Sequence, residues 1–204
     1  ETAAHRSCDS ACYVCLLRYG NQPFHGLLDW QLGLTYLRAM IDPAFTCGLD
    51  GAFAVPGLSN WLELARRVAV EMRDRFEGEY QDFAGLPGFR VRSVGKKMTP
   101  WVVVAHPLWD FDDVSGPAEG TILASAYEAA AEVSDDAAPL CWDTFNLSRR
   151  QVLVRERIRA YVEQHCPDFL DRVRLHKQAT ALLRRYQVEE AIRSTMTRRV
   201  DLPS

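Results

Sequence analysis

The chain has 204 residues, of which 48% are hydrophobic and 25% charged, a composition typical of a globular protein with a buried core. No window holds 18 consecutive apolar residues and the first residues contain no apolar signal segment. The sequence therefore excludes a membrane-spanning helix and indicates a cytoplasmic protein without a membrane partner. The net charge of −3 is uneven, since residues 147–204 hold 13 basic and 7 acidic side chains. Because the sequence begins without methionine and close to a cysteine cluster, we expect a fragment or trimmed chain of a longer protein.

The first predicted element is a metal-binding turn that contains Cys8, Cys12 and Cys15. Spacings of two to four residues let one turn present several thiolates to one ion, and zinc takes four tetrahedral nitrogen or sulfur ligands. The sequence therefore predicts a structural Zn²⁺ site rather than disulfides. The fourth ligand stays open between His5, Cys47 and a residue upstream of the chain. In the alternative interpretation, the cysteines are small buried residues at the start of a helix.

A turn, "YGNQP", follows the cysteines and leads into a helix predicted from Phe24 to Ile41. Asn21 and Gln22 are expected to cap or tie this turn. His25 and Asp29 stand at i and i+4 of the predicted helix, so we expect a hydrogen bond between them that fixes the turn to the helix. A nucleic-acid contact by the same side chains is the alternative.

The pattern of these residues resembles a known module. The residues that carry the resemblance are Cys8, Cys12, Tyr13, Cys15, Leu16, Tyr19, Asn21, Gln22, His25, Leu28 and Asp29. Together they resemble the zinc-binding C-terminal module of MrfA-type superfamily 2 DNA helicases and of helicase-associated proteins in DISARM phage-defence systems. The resemblance covers residues 8–30, extends loosely to residues 142–150, and implies attachment to a DNA-translocating motor. Two positions depart from the pattern, because Trp30 replaces an arginine and Arg6 stands where the first ligand is expected.

The remaining elements predict an α+β fold. In chain order they are a helix capped by Ser59 or Asn60, strands within residues 85–95 and 99–109, an alanine-rich helix within 120–133, a strand within 138–147, and helices from Arg150 onward. The run Val102 to Val104 predicts a strand buried on both faces. We divide the chain into a zinc knuckle with a helical region (1–85), a small mixed α/β unit (86–148) and a basic helical tail (149–204).

Two charged patterns bear on function. The basic pairs Lys96–Lys97 and Arg149–Arg150 are candidate phosphate contacts. An acidic loop after the buried strand contains four carboxylates that could hold a divalent ion in a nuclease, but a solvated turn is the preferred interpretation. These carboxylates are Asp110, Asp112, Asp113 and Glu119. The run "VGKKMT" lacks the first glycine of a phosphate-binding loop, so the chain cannot hydrolyse ATP by the usual helicase chemistry.

Residues 169–204 are similar to a segment of the RNase E/G ribonuclease family that precedes its first catalytic aspartate. The matching residues are Arg172, Val173, Leu175, Tyr186, Val188, Glu189, Ile192, Arg199, Val200, Leu202, Pro203 and Ser204. This resemblance implies an RNA-processing connection and supports one alternative function, a ribonuclease fragment. The acidic loop supports the other alternative, a metal-dependent nuclease. The preferred prediction is a module that is not catalytic by itself, docks onto a helicase motor or a defence-complex subunit, and binds DNA, with RNA as the alternative.

Overall fold

The computed structural model describes residue 8 and residues 10–90, 100–112, 116–134 and 138–165. It confirms the predicted α+β class, because helices precede and follow a small mixed sheet along the chain. The predicted first helix begins later than expected. Residues Tyr19–Leu27 form a 3₁₀ helix that contains Pro23, and α1 spans Trp30–Ile41. The reason is local, because the Asp29 carboxylate accepts the Leu32 amide and thereby caps a helix that starts at Trp30.

The second helix, α2, spans Trp61–Arg75 and buries one face. Its buried residues recur at helical spacing and are Trp61, Ala65, Val68, Ala69 and Met72. Asn60 precedes the helix as predicted, but its side chain makes no capping hydrogen bond. Asn60 is also exposed, so its amide group stays available for other contacts.

The four strands of the main sheet are, in spatial order, β1 (Glu79–Phe83), β2 (Leu86–Arg90), β3 (Trp101–Ala105) and β6 (Leu140–Asp143). Strand β1 (Glu79–Phe83) was not predicted, and it pairs antiparallel with β2 (Leu86–Arg90) through a two-residue turn. That turn holds Ala84 and Gly85 at positive φ, as tight hairpins of this kind require. Strand β1 escaped prediction because it is the edge strand, so that most of its side chains are exposed and polar.

Strand β3 (Trp101–Ala105) is buried at all five residues, which confirms the predicted strand with two covered faces. It pairs antiparallel with β2 and parallel with β6 (Leu140–Asp143). Helices α2 and α3 (Ile122–Glu132) both pack against the sheet. In the acidic loop, β4 (Phe111–Asp112) and β5 (Gly116–Pro117) form a two-stranded ladder of their own.

The last predicted strand is shorter than expected. It ends at Asp143, whose carboxylate accepts the Asn146 amide and caps α4 (Thr144–Arg149). Helix α5 follows as predicted and spans Gln151–His165. The segment that resembles the RNase E/G family lies outside the described residues.

One hydrophobic core joins α2, the four-stranded sheet and α3 to α5. Helix α1 contributes only one buried residue, Thr35. Thr35 packs against Gly57, whose φ of 91° and missing side chain are both required, since a Cβ atom would approach the Thr35 hydroxyl to 2.6 Å. Within the described residues, every helix is too short or too polar to cross a membrane.

Candidate metal centre

Three thiols converge at the N-terminal end of the described chain. The Sγ atoms of Cys8, Cys12 and Cys15 lie within 4.8 Å of one another, and those of Cys8 and Cys15 are 3.8 Å apart. Cys8 is buried and the other two are partly buried. All three are free thiols, as are Cys47 and Cys141. The predicted cysteine cluster is therefore present and is close enough to hold a metal ion.

A tight turn brings the second and third thiols together. The amides of Cys15 and Leu17 both donate to the Cys12 carbonyl, at 3.1 and 3.0 Å. The turn also directs the Cys12 amide toward the Cys15 sulfur, which accepts it at 3.1 Å. The two-residue spacing thus produces a turn whose backbone N–H groups face sulfur, an arrangement that stabilises thiolate charge.

The surroundings shift the pKa values of two of the thiols in opposite directions. Burial raises the pKa of the Cys8 thiol to about 11, and hydrogen bonds with the neighbouring thiols add to this effect. The backbone amides of Val14 and Cys15 lower the pKa of Cys12. A bound cation would favour the thiolate form at all three positions, since a metal takes deprotonated cysteine as its ligand.

Trp30 ties the cysteine turn to α1. Its indole Nε1 donates to the Cys8 carbonyl at 2.8 Å, and its backbone amide donates to the Ser10 carbonyl at 2.8 Å. Trp30 therefore holds the first cysteine from the first residue of the helix. In the family pattern this position holds arginine. Trp30 was identified from the sequence as a departure from that pattern, but its contacts with the cysteine turn were not predicted.

The turn after the cysteines is held by Asn21 and His25. The Asn21 side chain accepts the Arg18 amide at 2.8 Å and donates to the Leu16 carbonyl at 2.9 Å. The His25 Nε2 atom lies 2.9 Å from both the Arg18 carbonyl and the Asn21 Oδ1 atom. The predicted His25–Asp29 hydrogen bond is replaced by these contacts, because the two residues do not share an α-helix and their i, i+4 spacing has no structural meaning here.

Asp29 has a different partner, Arg149, at the end of α4. One carboxylate oxygen of Asp29 caps α1, and the other lies 3.6 Å from an Arg149 guanidinium nitrogen. The same guanidinium also donates to the Gly26 carbonyl. Arg149 is therefore a clamp between the cysteine region and the core, a role that was not predicted. No sequence pattern indicates a contact between residues 120 positions apart along the chain.

The fourth ligand is not found among the described residues. Cys47 belongs to the hydrophobic core, and its carbonyl accepts the Trp109 indole N–H at 2.8 Å. It is not part of the thiol cluster. His5 lies outside the described residues, so its predicted role as a ligand stays a prediction. Gln22 is exposed, and the contacts described for the turn do not include its side chain.

The other predicted sites have separate surroundings. Arg150 is exposed and lies over the Phe145 ring, and Lys96 and Lys97 lie outside the described residues. Asp110 and Glu119 of the acidic loop are exposed. The Asp113 position and the Asp112 side chain are not described. Within the described residues, the three cysteines are the one group with the geometry of a metal site.

Scans against protein-family models, curated proteins and solved structures found no significant match.

Proposed function

We propose that this chain is a zinc-stabilised, non-catalytic module of a DNA helicase or anti-phage defence complex, which docks onto a motor and binds nucleic acid in the cytoplasm. The observation that carries the proposal is the set of three convergent thiols on a turn fixed to α1. A tetrahedral zinc ion with Zn–S bonds of about 2.3 Å separates its sulfur ligands by about 3.8 Å. The Cys8 and Cys15 sulfurs have this separation, 3.8 Å.

The exposed surface of α1 supports the docking part of the proposal. Leu37 is 55% exposed and Ile41 is 81% exposed, and Leu34, Tyr36 and Met40 are exposed as well. These residues form the apolar face of α1, since at the helical rotation of 3.6 residues per turn all five fall on the side of the helix opposite Thr35. A solvent-exposed apolar helix face is typical of an interaction site for another protein.

Metal analysis of the purified full chain tests the zinc assignment. We expect about one zinc ion per chain, and we expect Cys8→Ser to lose it because the buried thiolate is removed. Cys141→Ala is the matched control, since Cys141 is a buried cysteine outside the cluster and its replacement should leave the zinc content unchanged. A folded wild-type chain without bound metal would overturn the proposal.

The coding sequence around the chain tests the motor assignment. We expect helicase motor motifs upstream of Glu1 in the same polypeptide, or in a neighbouring gene. A coding region and neighbourhood without such motifs would contradict this part of the proposal, even if the zinc assignment holds.

A further inference from the structure

A cleft of about 410 Å³ lies beside the cysteine region, between the start of α1, the start of α2 and the junction of β6 with α4. Ser10 and Asp29 line it on the side of the cysteines, and His106 and Thr144 line it on the side of the core. Its volume falls in the range of small-molecule binding sites. The cleft shares Ser10, Asp29 and Arg149 with the contacts that fix the cysteine region, but none of the three clustered cysteines lines it. It is therefore a feature separate from the thiol cluster.

One of the most buried polar groups that line the cleft is the imidazole of His106, which is only 3% exposed. Its Nδ1 atom accepts the Leu108 amide at 3.2 Å, so a neutral ring carries its proton on Nε2. Burial lowers the pKa of His106 to about 4, which keeps the ring neutral at pH 7. Within the described part of the chain, Nε2 has no hydrogen-bond partner and is a donor for a ligand.

Trp61 and Thr144 complete the inner wall. The Trp61 indole packs edge-on against His106, with 5.3 Å between the ring centroids, and donates its N–H to the Thr144 hydroxyl at 3.2 Å. Because that hydroxyl oxygen already accepts, its own hydrogen is available as a second donor. The inner wall therefore offers two neutral donors beside aromatic surface.

The outer wall adds amides and balanced charges. The side chains of Gln31 and Asn60 offer a donor and an acceptor each, and within the described residues both lack a hydrogen-bond partner. The carboxylates of Asp29 and Glu63 offset the guanidinium groups of Arg67 and Arg149, so the lining carries no net charge. Such a lining is unsuited to a bare anion and suits a flat, uncharged group with several donors and acceptors along its edge.

A nucleobase is a group of this kind, and cationic groups for its phosphate lie next to the cleft. A second, more open cavity of about 530 Å³ adjoins the first and shares Ser148 and Arg149 with it. Arg150, which is exposed, lines this second cavity and faces the Phe145 ring that also lines the cleft. A guanidinium group that lines the adjoining cavity is placed to contact the phosphate of a nucleotide whose base occupies the cleft.

We propose that the cleft binds one unpaired nucleotide, with the base against His106 and Thr144 and the phosphate at Arg150. The assignment rests on the nucleic-acid part of the proposed function and specifies which form of nucleic acid is bound. It does not depend on the metal or on the motor. The nucleotide has two possible sources, a free nucleoside monophosphate or an unpaired position in a single strand.

Fluorescence polarisation with the full chain and a labelled 20-nucleotide single strand tests the proposal. His106→Phe keeps a ring of similar size but removes the Nε2 donor, and Asn60→Ala changes an exposed side chain at the cleft mouth. We expect about tenfold weaker binding for His106→Phe and about threefold for Asn60→Ala. Arg150→Ala should weaken binding of all sequences and lower the salt dependence. Arg155→Ala, an exposed α5 arginine outside both cavities, is the matched control and should bind like the wild type.

Competition with unlabelled ligands identifies the source of the nucleotide. Displacement by a nucleoside monophosphate at millimolar concentration indicates a free nucleotide, whereas displacement by single strands alone indicates a strand. Displacement by inorganic phosphate at the same concentration as the monophosphate would overturn the role of the base. Should His106→Phe fail to fold, Asn60→Ala decides in its place.

The failure of this assignment is distinct from the failure of the proposed function. Single-strand binding that falls with Arg150→Ala but is unchanged in His106→Phe and Asn60→Ala overturns the cleft site and leaves nucleic-acid binding in place. A zinc-loaded chain that binds neither single strands nor monophosphates overturns both the cleft site and the nucleic-acid role, while the zinc assignment stands.

Discussion

The sheet region and the cysteine region of this molecule are held together by different interactions. Around the sheet, large apolar side chains such as Phe89 and Leu123 are completely buried, and stability comes from the removal of apolar surface from water. Between Cys8 and Ile41 the described apolar side chains are mostly exposed, and the contacts include individual hydrogen bonds, the Asp29–Arg149 ion pair, the Tyr13–His25 ring contact and the thiol cluster. A region that buries little apolar surface depends on individual polar contacts for its stability. In such a region a structural metal makes its largest contribution to the free energy of folding.

The largest expected difference between the two regions comes from truncating an aromatic ring in each. Phe89→Ala should lower the free energy of unfolding by about 4 kcal/mol, because the removed ring is fully buried and leaves a cavity. Tyr19→Ala, at a side chain that is 92% exposed, should change it by less than about 0.5 kcal/mol. Urea denaturation of both variants measures the contrast. Equal effects would mean that the two regions do not differ in the way described.

The pH dependence of the free energy of unfolding reports on one buried group, His106, which lies at the boundary between the two regions. Burial lowers the pKa of His106 to about 4 from an ordinary value of 6.5. Between these two pH values the imidazole is therefore protonated in the unfolded chain and neutral in the folded chain. The resulting stability is complete above pH 6.5 and is lost as the pH falls toward 4, by up to about 3 kcal/mol.

His106→Gln provides the control for this pH dependence. The variant retains Asp29, Glu63 and the other titratable groups near the cleft, so the difference between the two proteins reports on the imidazole alone. Denaturation at pH 7.5, 6, 5 and 4.5 should give a smaller loss in the variant. Parallel curves for the two proteins would contradict the assigned pKa shift.

The clamp between the regions can be broken at one residue. Arg149→Ala removes the guanidinium that contacts Asp29 and the Gly26 carbonyl, and we expect a loss of about 2 kcal/mol. Hydrogen exchange should accelerate at the amides of residues 21–35 and stay slow in β3. The adjacent Arg150→Ala, at an exposed side chain, should leave exchange unchanged. Unchanged exchange in Arg149→Ala would show that the clamp is dispensable.

The smallest expected effect on stability comes from the apolar face of α1. Leu37→Asp changes a side chain that is 55% exposed and should alter the free energy of unfolding by less than about 0.5 kcal/mol. Because we propose that this face docks onto the motor, the same variant should weaken motor binding at least about tenfold. Val152→Asp, at an exposed apolar residue of α5, is the control and should bind normally. A destabilised Leu37→Asp variant would mean that the face is packed in the isolated chain.

Residues that are close in sequence account for the parts that were predicted. The spacing of Cys8, Cys12 and Cys15 predicted their cluster, because a turn of this length can bring its own thiols together without help from distant residues. The period of apolar residues predicted α2, and the run from Val102 to Val104 predicted a strand buried on both faces. In each case the signal and the structure it produces lie within the same short segment.

The errors have local causes of a different kind. The first helix was predicted too early because the apolar period continues through residues 24–29, although Pro23 and the Asp29 cap favour a 3₁₀ helix there. The last strand was predicted too long for the same reason, since Asp143 caps α4 within the predicted strand. The edge strand β1 has too few apolar residues to show a period.

The sequence by itself determined the α+β class, the cysteine cluster and the position of the buried strand, because each depends on side chains within one turn or one strand. Only the tertiary structure decided the partners of Asp29, the isolation of Cys47 from the other thiols, and the cleft around His106. Those features join residues as distant in sequence as Ser10 and Arg149, and local periodicity does not indicate which distant residues come into contact. Arg149 demonstrates the difference, since its charge was evident in the sequence and its place beside Asp29 was not.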